Sequence, residues 1–159
     1  MRVAAADALA CIKDPAAVTG LLEALADKNR MIGVAAAEAL GRIGSDEAVP
    51  GLMEHLRHDD PDVRRAVAEA LGMIKDSRGL PGLLEALHDS VGFVRRAAAE
   101  ALGAIGDDAA VPGLVARLAD DGQEWWQEDR VCDIAAQALE RIGSGQALAA
   151  VEDWRRREN

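Results

Sequence analysis

The sequence predicts an all-α solenoid, one domain over residues 1–159 made of stacked antiparallel helix pairs. Three observations predict it. The segment from Val63 to Ile74 recurs almost intact from Val94 to Ile105. Half the residues are hydrophobic yet only 3% are aromatic, and alanine fills the difference, which suits closely packed helices and suits strands badly. Each period also carries two apolar stripes at helical spacing and no alternating strand pattern.

The repeat sets the element order. Marker leucines fall at Leu9, Leu40, Leu71, Leu102 and Leu139, in three steps of 31 residues and one of 37. In phase with them run Val49-Pro50-Gly51-Leu52, Leu80-Pro81-Gly82-Leu83 and Val111-Pro112-Gly113-Leu114, with Val18-Thr19-Gly20-Leu21 a degenerate copy and Leu148-Ala149-Ala150-Val151 a weaker one. The first 13 residues read as half a repeat, with Val3, Ala6, Leu9 and Ile12 on one stripe. Repeats then follow at about 14–44, 45–75, 76–106 and 107–143, and a capping helix at 144–159. Within a period, Val63, Val67, Ala70, Leu71 and Ile74 give the one-sided face of an amphipathic helix. Leu80, Leu83, Leu84 and Leu87 give that of its partner. Proline sits early in the second helix, where a missing N–H costs little. The Lys75-Asp76 and Gly106-Asp107 pairs supply a C-cap followed by an N-cap. One such pair cannot bury its stripe alone, so the pairs must stack.

Charge and cysteine usage narrow the function classes. The formal charge of -10 argues against nucleic acid as a partner, because phosphate neutralisation needs a basic footprint. No apolar run approaches the roughly 20 residues of a membrane span, and the start lacks a signal-peptide pattern. Cys11 and Cys132, the two cysteines, lie about four repeats apart, on the order of 40 Å at one helix diameter per repeat, too far for an intrachain disulfide. These features predict a soluble cytoplasmic protein.

The string Val-Arg-x-x-Ala-Ala-x-Ala-Leu-Gly-x-Ile-Gly, followed by Ala-Val-Pro-x-Leu, resembles the short HEAT-like repeats of phycobilisome lyase subunits. The resemblance covers nearly the whole chain and implies a right-handed superhelix of about five repeats. It places the Ala-Val-Pro helices outside and the Val-Arg helices on the inner, concave side. It also implies an Asp-to-Arg ladder between repeats, here Asp27, Asp89 and Asp120 with Arg2, Arg64 and Arg95, so these residues are assigned to structure. The ladder has gaps: Gly33 and Cys132 replace arginine, and His58 stands where aspartate is expected.

Both ends and one insertion depart from the repeat. Met1 takes the slot of Val63, and no outer helix precedes it. The apolar first helix implies either a fragment of a longer solenoid or an end covered by a partner or a second copy. The polar tail after Glu152 reads as a cap. The insertion lies in 120–129 and carries Trp125 and Trp126, which serve either as an interaction hot spot beside the groove or as a fold-back cap on the last helix near Trp154.

The chain carries little catalytic chemistry. His55, His58 and His88, with Asp59 and Asp89, could gather near a metal, but polar residues at helix C-termini commonly complement the dipole instead. The HEAT-repeat hydroxylase that holds iron through His-Glu dipeptides has no counterpart here, since Glu54-His55 runs in reverse order. Neither cysteine has a nearby histidine to activate it, and no glycine-rich phosphate loop occurs.

What remains is the inner face. By phase, its free side chains are Met31, Val34, Glu38 and Arg42; then Arg65, Glu69 and Met73; then Phe93, Arg96 and Glu100; and finally Arg130, Asp133, Gln137 and Arg141. Methionine and arginine are enriched at protein interfaces, and the mixed sign argues against a polyanion track. The competing reading is a solvated face in which Arg65/Glu69 and Arg96/Glu100 merely pair along their helices. The expectation is a non-enzymatic scaffold that docks a protein or peptide segment in the groove without a cofactor. Its rivals are a bilin lyase-type subunit and a structural segment of a longer repeat protein.

Overall fold

The computed structural model describes residues 17–119 and 130–158. Nine α-helices appear among them: α1 (Val18–Leu25), α2 (Arg30–Ile43), α3 (Val49–His55), α4 (Pro61–Ile74), α5 (Leu80–Ala86), α6 (Gly92–Ile105), α7 (Val111–Arg117), α8 (Val131–Ile142) and α9 (Gly145–Glu158). Short 3-10 turns at Asp46–Ala48, Ser77–Gly79 and Asp108–Ala110 lead into α3, α5 and α7. The even-numbered, longer helices pack on one another in sequence and form one layer. The odd-numbered helices form the second, with α1, α3, α5 and α7 short and α9 of 14 residues, and no described residue lies in a strand. This is an all-α repeat fold of stacked helix pairs.

The outer helices α1, α3, α5 and α7 are short, at seven or eight residues. Proline near the start of α3, α5 and α7 explains part of this, because the preceding residues turn as a 3-10 segment that the proline ring then carries into the helix. Asp76 and Asp107 accept from the Arg78 and Ala109 N–H groups and cap those turns. Each inner helix stops in the same way. Gly44, Gly106 and Gly143 take left-handed conformations at φ 73°, 75° and 72°, and Lys75 takes the equivalent place at φ 60°.

The core lies between the two layers. The marker leucines Leu40, Leu71, Leu102 and Leu139 are buried there with Leu25, Leu52, Leu83 and Leu114 of the outer helices. A second, tighter contact joins the inner helices to each other. A Cβ placed on Gly41, Gly72 or Gly103 would lie 2.9, 2.8 or 2.7 Å from the Cα of Ala70, Ala101 or Ala138 on the next inner helix. The recurrent Ala-Leu-Gly thus has a packing function: the leucine fills the interlayer core, while the glycine of one repeat receives the alanine of the next. In the last inner helix Glu140 stands in the glycine column, exposed, with its carboxylate 2.6 Å from Arg155 of α9.

Candidate functional site

The expected groove residues fall on one stripe of the inner layer. Met31, Glu38, Arg42, Met73, Gln137 and Arg141 are exposed, and Val34, Arg65, Glu69, Phe93, Arg96, Glu100 and Asp133 are half-buried. Arg130 precedes α8 and is exposed. The stripe forms because the residues between these positions, chiefly alanines such as Ala66, Ala97 and Ala135, are buried in the stack. Met31 and Met73, at 64% and 52% exposure, are two of the three large hydrophobic side chains that stand out into solvent among the described residues. The third, Leu148, belongs to α9.

The charged members are not idle. Arg65 donates to Glu69 at 2.7 Å, Arg96 to Glu100 at 2.9 Å and Arg130 to Asp133 at 3.1 Å, all along the chain direction. The pairing along each helix that formed the competing reading is therefore present, and it leaves the stripe nearly neutral. Glu38 has Val34 where the next two repeats have arginine. The net charge of the molecule accordingly resides outside this face. Trp125 and Trp126, like Asp120, Arg2, Cys11 and the expected half-repeat at 1–13, lie outside the described residues.

The ladder residues sit at the N-terminal ends of the inner helices, where each outer helix turns into the next inner one. Arg64 Nε and Nη2 donate to the Asp89 carboxylate at 2.7 and 3.0 Å, and Nη1 donates to the carbonyls of His58 and Asp59 at 2.7 and 3.0 Å. Asp89 in turn accepts from the Val91 N–H, and Arg95 donates to the Asp89 carbonyl. Burial acts to raise the Asp89 pKa, but the hydrogen bonds from Arg64 and Val91 and the charges of Arg64 and Arg95 outweigh it. The carboxyl is held below the usual aspartate range. Asp27 caps its own turn in the same manner, accepting from Asn29 N–H. At the turn between these two, His58 Nδ1 accepts from Asp60 N–H at 3.0 Å. The imidazole there takes over the turn-capping function of the aspartate but not its charge.

A feature that sequence reasoning missed lies in the outer layer. A cavity of about 1220 Å³ opens between α3 and α5, with Met53, Leu56, Gly82 and Ala86 among its lining and Arg57 and Glu85 paired at 2.8 Å beside it. Met53 takes the place that Leu22 and Leu84 hold in neighbouring repeats, and at Gly82 it is Leu56 that comes within 2.7 Å of the Cβ position while Met53 stands at 3.5 Å. Leu22 and Leu84 press into the sites of Gly51 and Gly113, reaching within 2.7 and 2.6 Å of where a Cβ would stand on each glycine. His58, His88, Asp59 and Asp89 line the same cavity. Among the described residues, no group of three or more His, Cys, Asp or Glu side chains is placed to hold a metal ion. Cys132 is buried. No helix among the described residues is long and apolar enough to cross a membrane.

The chain is similar to several solved structures. In the complex of CpcE and CpcF of phycocyanin lyase from Nostoc sp. PCC7120, the match has 33% identity and a TM-score of 0.74. It covers 89% of this chain and 59% of that one, so the chain spans less than two thirds of the length of that relative. Two engineered proteins are similar at 25% and 26% identity, with TM-scores of 0.62 and 0.59. Each of those matches covers 94% of this chain, and 72% and 46% of the engineered chains respectively. A search of the curated proteins finds no match. HEAT repeats match residues 1–63 and 49–130, well over half the sequence. With its paired helices, its left-handed helix ends and its inner-layer glycine contacts, the chain belongs to the HEAT-repeat family.

Proposed function

We propose that this chain is a protein-binding scaffold that holds a protein or peptide segment along the concave face of α2, α4, α6 and α8, with no chemistry of its own. The observation that carries this reading is the exposure of Met31 and Met73 on a face whose other members are half-buried, polar or charged. Methionine is flexible and polarizable and repacks against varied partners. The Arg–Glu pairs beside it offer polar contacts that can be re-formed across an interface. The repeat fold supports a scaffold, since stacked repeats present extended binding surfaces.

The test is affinity capture from a lysate of the source organism. Wild type would be compared with Met31→Ala/Met73→Ala and with Phe93→Ala/Arg96→Glu, each checked for helical content. A protein retained by wild type and lost from both folded variants supports the groove. Recovery of the same proteins by all three overturns it.

A second reading rests on the similarity to the phycocyanin lyase complex: a subunit of a bilin lyase-type assembly, working with a protein partner. A tetrapyrrole absorbance band that copurifies with the chain, and survives the groove substitutions, favours that reading over the scaffold.

A further inference from the structure

The two irregularities of the ladder belong to a single rung. Arg64 reaches Asp89, 25 residues on. By the same offset, the arginine slot occupied by Gly33 faces the aspartate slot occupied by His58. Both members of the pair are changed, and no buried charge is left without its partner. The α2–α4 junction therefore lacks the nearly buried ion pair that joins α4 to the next repeat, whose two side chains are only 12% and 11% exposed. In its place the same rim carries Arg30 and Asp62, at the starts of α2 and α4, paired at 2.7 Å with side chains 64% and 38% exposed.

The two kinds of joint respond differently to their surroundings. An exposed pair is screened by salt and holds two long side chains only loosely, whereas a bidentate pair shielded from water is screened much less. Packing at the joint is also adaptable. The Met73 sulfur of α4 lies 3.0 Å from the Cβ position of Gly41 on α2, so a flexible side chain forms part of the seam. Ala70 approaches Gly41 as Ala101 approaches Gly72, but at the next junction the three nearest atoms to the Gly72 position all belong to the alanine. We propose that the α2–α4 junction is the hinge of the solenoid, opened by ionic strength, and that it alters the angle between the Met31 and Met73 parts of the inner face. The proposal stands apart from what binds there.

Paired spin labels test it, because Lys28, Asp59 and Ser90 are exposed residues one repeat apart on the ladder rim. In a Cys11→Ser background, labels at 28 and 59 span the hinge and labels at 59 and 90 span the intact rung. Dipolar broadening would be read at about 20 mM and about 1 M NaCl. The expected result is a salt-induced rise of about threefold in the widely separated population for 28/59, the size that screening of one exposed pair gives. No comparable change is expected for 59/90. Gly33→Arg/His58→Asp restores the rung and should abolish the response. Should that variant fail to fold, Asp62→Asn decides instead, since it removes the exposed pair with Arg30 and should abolish the salt response of 28/59. Equal behaviour of the two label pairs in wild type overturns the hinge. So does an Asp62→Asn protein whose 28/59 separation still responds to salt.

Discussion

Arg64 and Asp89 form a bidentate ion pair across the junction between consecutive repeats, at 2.7 and 3.0 Å, with each side chain about nine-tenths shielded from solvent. The same guanidinium donates to two carbonyls at the end of the preceding outer helix. One side chain thus ties together an outer-helix terminus, an inner helix and the next turn. Arg64→Met should lower stability by about 3 kcal/mol, the lower end for removing one partner of a buried pair. Asp89→Asn, whose amide oxygen can still accept from Val91, should cost about 2 kcal/mol. Urea midpoints at pH 7 would check both, and a loss below about 0.5 kcal/mol for Arg64→Met would contradict the account.

Acid should act on the same pair. Because the Asp89 pKa is lower in the folded protein than in the unfolded chain, the unfolded chain takes up the proton first as pH falls. The stability it contributes is therefore complete above the ordinary aspartate range, shrinks from about pH 4 downward and is gone below the folded-state pKa. Asp76, held low chiefly by hydrogen bonds from Arg78, shifts in the same direction. In urea titrations from neutral pH down to about pH 3, wild type should lose stability more steeply below about pH 4 than Asp89→Asn. Parallel curves would refute the assignment.

Lys75 ends α4 at φ 60°, where the other inner helices end in glycine. A side chain in the left-handed region costs about 1 kcal/mol, and glycine removes that cost. Lys75→Gly should raise the thermal midpoint, by about 1 kcal/mol in stability, without altering helical content.

Glycines within the helices should diverge. At Gly72 an added methyl would meet the Ala101 Cα at 2.8 Å and Cβ at 2.9 Å, atoms that cannot step aside. Gly72→Ala should cost about 1–3 kcal/mol through overpacking, more than helix propensity returns. At Gly20 no described atom lies within 4 Å, so Gly20→Ala should gain up to about 1 kcal/mol from propensity alone. Measuring both by denaturant unfolding separates packing from propensity, and a gain at Gly72 would show that the inner layer yields more than its spacing implies.

How much of this was legible beforehand differs by feature. Helix number, order and phase in the described region follow from Leu40, Leu71, Leu102 and Leu139 and from the Pro-Gly-Leu strings, because burial of a helical stripe depends on spacing within one segment. The stripe from Met31 to Arg141 was readable for the same reason. The pairing of Arg65 with Glu69 was readable too, as a neighbour on its own helix, though not whether it would win over an open face. The cavity between α3 and α5 was not, since its volume depends on the distance between neighbouring helices, which hydrophobic periodicity does not encode.

By itself, the sequence determined the repeat, the helix pairs and the face that stays polar, all of which are periodic properties of a single chain segment. Only the tertiary structure decided how residues meet across repeats: Gly72 against Ala101, the bidentate and water-shielded closure of Arg64 on Asp89, and hence that the gaps at Gly33 and His58, both visible in the sequence, share one rung. Those contacts join positions about one repeat apart, and their energies depend on interhelical distance and on exclusion of water, which hydrophobic periodicity does not encode.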